Sequence, residues 1–262
     1  MIKIINAELR RLLRRRPLIA MASGAIIFAL IAGVSVFASL GDGTAGSRRG
    51  GASLAELVGA GGGTDAFAIG ASFGGFLVFV TAIAVFSTEF SGGTFRALLL
   101  HNPSRLKLIA GKLAAFLLAV AGLAAVAEVA TFGVSLALAP SQDIASTAWF
   151  SLDGLGAAAR DFGTVFAGVT GWAVFGTTLG VIFRSAPLAL GVGFAWAGPF
   201  ENIVVESWSP GFRWFPGQVL GSLIRGGSVE LGFGRAAATA AVYVAIAAIA
   251  TLVLIQRRDV TA

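Results

Sequence analysis

Four stretches of this chain, residues 18–40, 66–88, 162–183 and 236–256, each run for 21 to 23 residues without one charged side chain. A fifth, 113–139, is interrupted only by Glu128. At 1.5 Å of rise per residue, about 20 helical residues cross the roughly 30 Å hydrocarbon core of a bilayer, and a helix satisfies its own backbone hydrogen bonds there. A sixth apolar run, 186–205, is broken by Gly198, Pro199 and Glu201 and is the least regular of the set. The pattern predicts an all-α polytopic membrane protein, one transmembrane domain over 1–262 with six transmembrane helices.

Composition agrees. With 56% hydrophobic and 12% charged residues, the chain has too few charges to cover a water-soluble fold. A net charge of +6 is a first sign of a nucleic-acid binder, but here the basic residues segregate by loop, and topology explains them better. Six spans return both termini to one side. Of the 19 Lys and Arg residues, thirteen fall on that side: six in 2–16, four in 88–112, then Arg184, Arg257 and Arg258. The other six (Arg48, Arg49, Arg160, Arg213, Arg225, Arg235) share their side with nine acidic residues. The positive-inside rule then predicts cytoplasmic termini in a plasma (inner) membrane protein.

Between the spans, residues 2–16 set Ile2, Ile5, Leu9, Leu12 and Leu13 against Lys3, Asn6, Arg10 and Arg14, the pattern of an interfacial amphipathic helix, with a bend expected at Pro17. The apolar run after it is longer than the about 7–15 residues of a signal peptide. Residues 41–65, rich in glycine, read as a flexible polar loop. In 89–112, Asn102 and Pro103 mark a turn between two short helical pieces. A polar connection is expected from Pro140 to Asp161, a tight turn at Arg184 and Ser185, and re-entrant or interfacial segments in 207–235, where Trp208, Phe212, Trp214 and Phe215 cluster.

Catalytic chemistry is not encoded in any recognisable constellation. There is no cysteine and one histidine, His101, and the acidic residues are scattered, so neither a metal site nor a cofactor is expected on this chain. Gly111-Lys112 lacks the earlier glycine and following Ser or Thr of a phosphate-binding loop. His101, at the end of a short helical piece, reads as a partner for free carbonyls more readily than as a ligand. Gly70/Gly74 and Gly176/Gly180 permit close helix packing, within the chain or across a dimer. Glu128 is the one intramembrane polar site. A charge at bilayer centre costs about 2.5–3.5 kcal/mol on insertion scales, so it is expected to meet a partner or a wet cavity, or to be protonated, in a pathway or a structural role.

The segment Glu89-Phe90-Ser91-Gly92-Gly93-Thr94-Phe95-Arg96-Ala97-Leu98-Leu99, followed by Asn102-Pro103-Ser104-Arg105 and Gly111-Lys112-Leu113, resembles the ABC type-2 exporter permease family. Its position between spans two and three, the amphipathic start, and Arg257-Arg258-Asp259 at the end are similar to that family's layout, while His101-Asn102 departs from it. The spans, mostly Ala, Gly, Val, Leu and Phe, favour an amphipathic or hydrophobic substrate such as a drug, lipid or peptide, and the resemblance implies a permease. It also implies a second permease copy, in a homodimer or heterodimer, and two copies of a cytoplasmic ABC ATPase that carry ATP and magnesium. The coupling residues would then be Glu89, Gly93, Thr94, Phe95, Arg96, Leu98, Leu99, Pro103 and Arg105. As a helix, 93–101 puts Phe95, Leu98 and Leu99 at i, i+3 and i+4, an apolar knob suited to a groove on the ATPase, with Arg96 and Arg105 steering it. The same face packing on the protein's own helices is the competing expectation. Two other functions fit the spans: a secondary transporter using Glu128 as a proton relay, disfavoured by the lack of an internal repeat, and a non-transporting scaffold.

Overall fold

The computed structural model describes residues 1–41, 53–101 and 104–257, apart from the side chains of Pro17, Arg96, Ala97 and His101. Asn102, Pro103, Arg258, Asp259, Arg48 and Arg49 lie outside the described residues. The protein is an all-α polytopic membrane protein, with six helices among the described residues long and apolar enough to span a membrane.

Helix α1 (Ile2–Leu12) precedes α2 (Arg15–Gly41), the first span. The bend therefore falls at residues 13–14, earlier than expected, and Pro17 sits in the first turn of α2, where its missing N–H is not needed. Residues 53–64 correct the expectation of a flexible loop. Ser53 and Glu56 form a capping box that starts α3 (Leu54–Val58), and Trp149 Nε1 donates to the Leu57 carbonyl at 3.0 Å. Gly62 and Gly63 serve close approach here: a Cβ on Gly62 would overlap the Leu57 backbone and one on Gly63 the Phe132 ring.

The second span is α4 (Asp65–Ser91), and Gly93, at φ 69°, turns the chain into α5 (Thr94–His101). Residues 105–112 do not form a second short piece. Ser104 caps α6, which runs unbroken over Arg105–Leu138, so the third span begins eight residues before 113. Two short 3₁₀ segments, Ala139–Gln142 and Ser146–Phe150, lead to α7 (Leu152–Phe183). This helix also starts earlier than expected, ten residues before 162, because the Ser151 hydroxyl caps Gly154 N at 3.1 Å. Asp153, Arg160 and Asp161 give that first stretch the composition of a loop. At 34 and 32 residues, α6 and α7 are roughly 51 and 48 Å long, and both outrun the hydrocarbon core.

Arg184, at φ 51°, closes α7, and with Ser185 it makes the tight turn into the next helix. The fifth span is α8 (Ala186–Ala195), a π turn at Trp196–Phe200, and α9 (Glu201–Ser207). The π turn absorbs Pro199 without ending the helix. Then α10 (Gly211–Trp214) and α11 (Pro216–Ile224) dip back against the bundle before α12 (Phe233–Arg257) completes it. Val219, Leu220 and Ile224 of α11 are fully buried, with Leu220 and Ile224 seated on Gly171 and Gly168 of α7.

Three of the four paired glycines pack within the chain. A Cβ on Gly176 would meet the Phe79 carbonyl oxygen at 2.5 Å, and Gly180 faces Phe86 and Ser87, so α7 lies directly on α4. Gly70 likewise seats Ala32 of α2. Because the obstacle at Gly176 is backbone, Gly176→Leu should cost at least the about 1–3 kcal/mol typical of overpacking and lower the thermal midpoint in detergent. Gly122→Leu, with no described atom within 4 Å, should leave the midpoint unchanged.

Candidate functional site

At the termini end of the bundle, four charged side chains from three helices converge. Glu89, in the last turns of α4, and Lys112, early in α6, are 4% exposed each and form a direct ion pair. Glu8 of α1 reaches Lys112 with Oε2 3.3 Å from Nζ, and Arg11 of α1 donates from Nη1 to Glu89 Oε1 at 3.4 Å. Two carboxylates and two cations make the group neutral, and each buried charge has a partner, the condition under which burial is tolerated. Gly111 makes room for it: a Cβ there would strike Ile4 at 2.9 Å, so α1 rests against the α6 backbone.

Beside this cluster lies α5. Phe95 is 2% exposed, its ring centroid 4.7 Å from that of Phe90 in a tilted pair, in a small core with Phe86, Leu108, Ile109, Val181 and Ile255. Leu98 and Leu99 pack on the same core from its edge. The expected apolar knob is thus turned inward: the face carrying Phe95 closes the end of the bundle, because burial against α4, α6, α7 and α12 is available within the chain. Arg105 points inward too, donating from Nη1 to the Ile255 carbonyl at 3.2 Å near the end of α12, where helix carbonyls lack intrahelical donors. Arg184 covers the Phe90 ring at 5.5 Å. The outer rim consists of Ser91, Gly92, Gly93, Thr94 and Leu100, the last 84% exposed. Arg96 and Pro103 are also expected to act here, but the side chain of the first and the whole of the second lie outside the described residues.

Glu128 sits apart, on α6. Its Oε1 is buried without a hydrogen-bond partner among the described residues. Asp161 of α7 lies within electrostatic reach of both Glu128 and Asp65 of α4, and its Oδ2 accepts from Thr64 Oγ1 at 2.6 Å. No group of His, Asp and Glu among the described residues could hold a metal ion.

Two polar sites escape a reading of the sequence alone. Glu8 and Arg11 fall within the amphipathic stretch 2–16 but on neither of the faces named for it, although a Glu among arginines is a signal for an inward-facing partner. Glu201 registers as a break in the fifth span. It is fully buried and accepts from Trp196 Nε1 at 2.8 Å and from Gly217 N and Gln218 N at 3.2 Å, capping α11. At the other end of α11, burial pushes the Arg225 guanidinium below its ordinary range, and it donates to Ser72 Oγ at 3.3 Å.

Compared with known proteins, the sequence matches no family model and no curated protein.

The ion cluster makes the end of the bundle sensitive to single substitutions. Lys112→Met leaves Glu89 buried beside Arg11 alone and should cost about 3–5 kcal/mol, whereas Glu89→Gln with Lys112→Met should recover most of that loss. Thermal midpoints of the two variants and the wild type in one detergent check it. Equal destabilisation by single and double variants would mean that the pair is not mutually supporting.

Proposed function

We propose that this chain is the membrane-spanning permease subunit of an ATP-driven ABC exporter. It pairs with a second permease copy, takes an amphipathic or hydrophobic substrate, and docks a separate ATPase, which binds ATP and magnesium, at α5. The observation that carries this reading is the mounting of α5. It is a short helix outside the spans, rooted by Phe95 in a core shared with α4, α6, α7 and α12, with an exposed rim that includes Thr94 and Leu100. A force on that rim reaches four spans through the shared apolar core and α1 through the Glu89–Lys112 cluster. The likeness of 89–113 to the ABC type-2 loop supports the same reading. The coupling roles of Glu89, Gly93, Phe95, Leu98, Leu99 and Arg105 become those of a mount, and the contact passes to Thr94, Leu100 and the loop beside them.

The excess of basic residues on the termini side supports cytoplasmic termini in a plasma membrane, the side on which an ATPase would meet α5. An impermeant maleimide should then label Leu100→Cys in inside-out but not in right-side-out vesicles. The chain has no native cysteine to confuse the result.

A proton-coupled secondary transporter is the second reading, favoured by the Glu128 oxygen that lacks a partner among the described residues. One experiment separates the two. In inside-out vesicles with the ATPase co-expressed, flux of a fluorescent amphiphile should require ATP and survive dissipation of the proton gradient. Leu100→Asp, exposed and therefore harmless to folding, should weaken ATPase co-purification about tenfold or more by placing a charge in an apolar contact. Flux that follows the proton gradient, ignores ATP and is lost in Glu128→Gln would overturn the exporter reading. Wild-type ATPase retention by Leu100→Asp would remove the contact from α5.

A further inference from the structure

A cavity of about 650 Å³ lies between α2, α4 and α6, within the about 300–1,000 Å³ common for ligand sites. It exists because the walls carry side chains too small to fill it: Gly24, Ala25 and Ala29 of α2, Gly74 of α4, and Ala124 and Ala127 of α6 line it. From Phe116 to Thr131 on α6 the lined stretch rises roughly 22 Å, longer than the roughly 15 Å of one leaflet's hydrocarbon. Its lining is apolar almost throughout. Among the described residues Arg11 is the one charged side chain in the wall, at the termini end and 61% exposed. Arg10, Arg14 and Arg15 are exposed nearby in sequence. A long apolar slot ending in a cationic rim at the membrane surface is complementary to one kind of molecule, an apolar chain with an anionic head.

We propose that this cavity binds one acyl chain of an anionic phospholipid drawn from the termini-side leaflet, with the lipid phosphate held at Arg11. Both halves of the fit rest on simple energetics. The chain fills a void that small side chains leave without van der Waals partners. The phosphate makes a charge-assisted hydrogen bond to a guanidinium that already stands at the headgroup level. Arg11 also contacts Glu89, so the lipid head would sit beside the buried ion cluster. Lipid binding here does not depend on the exporter reading, since the site is complete within one chain and needs no ATPase.

The test uses purified full-length chain in phosphatidylcholine nanodiscs doped with phosphatidylglycerol that carries a diazirine on one acyl chain. After photolysis, labelling is mapped by peptide mass spectrometry. Residues lining the cavity should be labelled above Val129, whose 73% exposure marks it as lipid-facing. Gly24→Leu with Gly74→Leu fills the slot with little strain, because the first meets no described atom within 4 Å and the second only Phe28 at 4.0 Å. That variant should bring cavity labelling down to the Val129 level. Gly122→Leu, on α6 but outside the cavity, should change nothing. Arg11→Gln should weaken the preference for the phosphatidylglycerol probe over its phosphatidylcholine counterpart about tenfold. Unchanged labelling in the filled variant would overturn the site, and equal labelling by both probes in the wild type would overturn the anionic head. An unlabelled cavity together with disulfide-linked dimers of Gly24→Cys would assign the slot to a second copy of the chain instead.

Discussion

The Glu89–Lys112 ion pair is the constraint on which the termini end of this protein depends. Neither charge could be buried alone, and each is held by a second partner from α1, Arg11 on Glu89 and Glu8 on Lys112. The amphipathic helix is therefore not simply adsorbed to the membrane surface. It is bound into the bundle by the chemistry that allows α4 and α6 to meet with charged residues between them. A buried pair of this kind adds little net stability compared with an apolar contact, and its effect is to specify one arrangement. Here the arrangement it specifies brings α1, α4 and α6 together beneath α5.

Elsewhere the bundle is set by close approach rather than by charge. Gly176 and Gly180 bring α7 onto α4, Gly168 and Gly171 receive α11, and Gly70 admits Ala32 of α2. Among apolar helices in lipid there is no hydrophobic gain from association, so van der Waals contact and interhelical hydrogen bonds must do the holding. Thr178 and Thr251, paired at 2.8 Å between α7 and α12, are an example of the second. The same small residues, where no partner approaches them, leave the cavity between α2, α4 and α6. Tight seams and an open slot thus come from one compositional habit, and what differs is whether a neighbouring helix is near enough to use the space.

The number of spans and their approximate limits are legible in the sequence because uncharged length is a signal that local propensity cannot counterfeit. Helix starts are less so. The polar residues at 105–112 and 152–161 have the composition of loops, yet Ser104 and Ser151 cap helices that begin there and are longer than the hydrocarbon core is thick. The face of α5 cannot be assigned from spacing alone: Phe95, Leu98 and Leu99 share a stripe whether they face a partner or the chain's own core, and only the positions of α4, α6 and α12 decide it. Glu201 is visible as a charge in a span, but its cap on α11 depends on a return of the chain sixteen residues later. The Glu89–Lys112 pair is hidden in the same way, since nothing within 89–112 shows that α1 closes over it.

If the buried ion cluster locks α1 to the end of the bundle that carries α5, the distance between those two helices must be fixed. Pulsed electron paramagnetic resonance between spin labels at Ala7→Cys and Leu100→Cys, both exposed and in a chain with no other cysteine, measures that directly. With α1 locked in place, the wild-type background should give a single narrow distance distribution, broadened by Lys112→Met and narrowed again by adding Glu89→Gln. A broad distribution in the wild-type background, or one that Lys112→Met leaves unchanged, would mean that the ion cluster does not hold α1 in place.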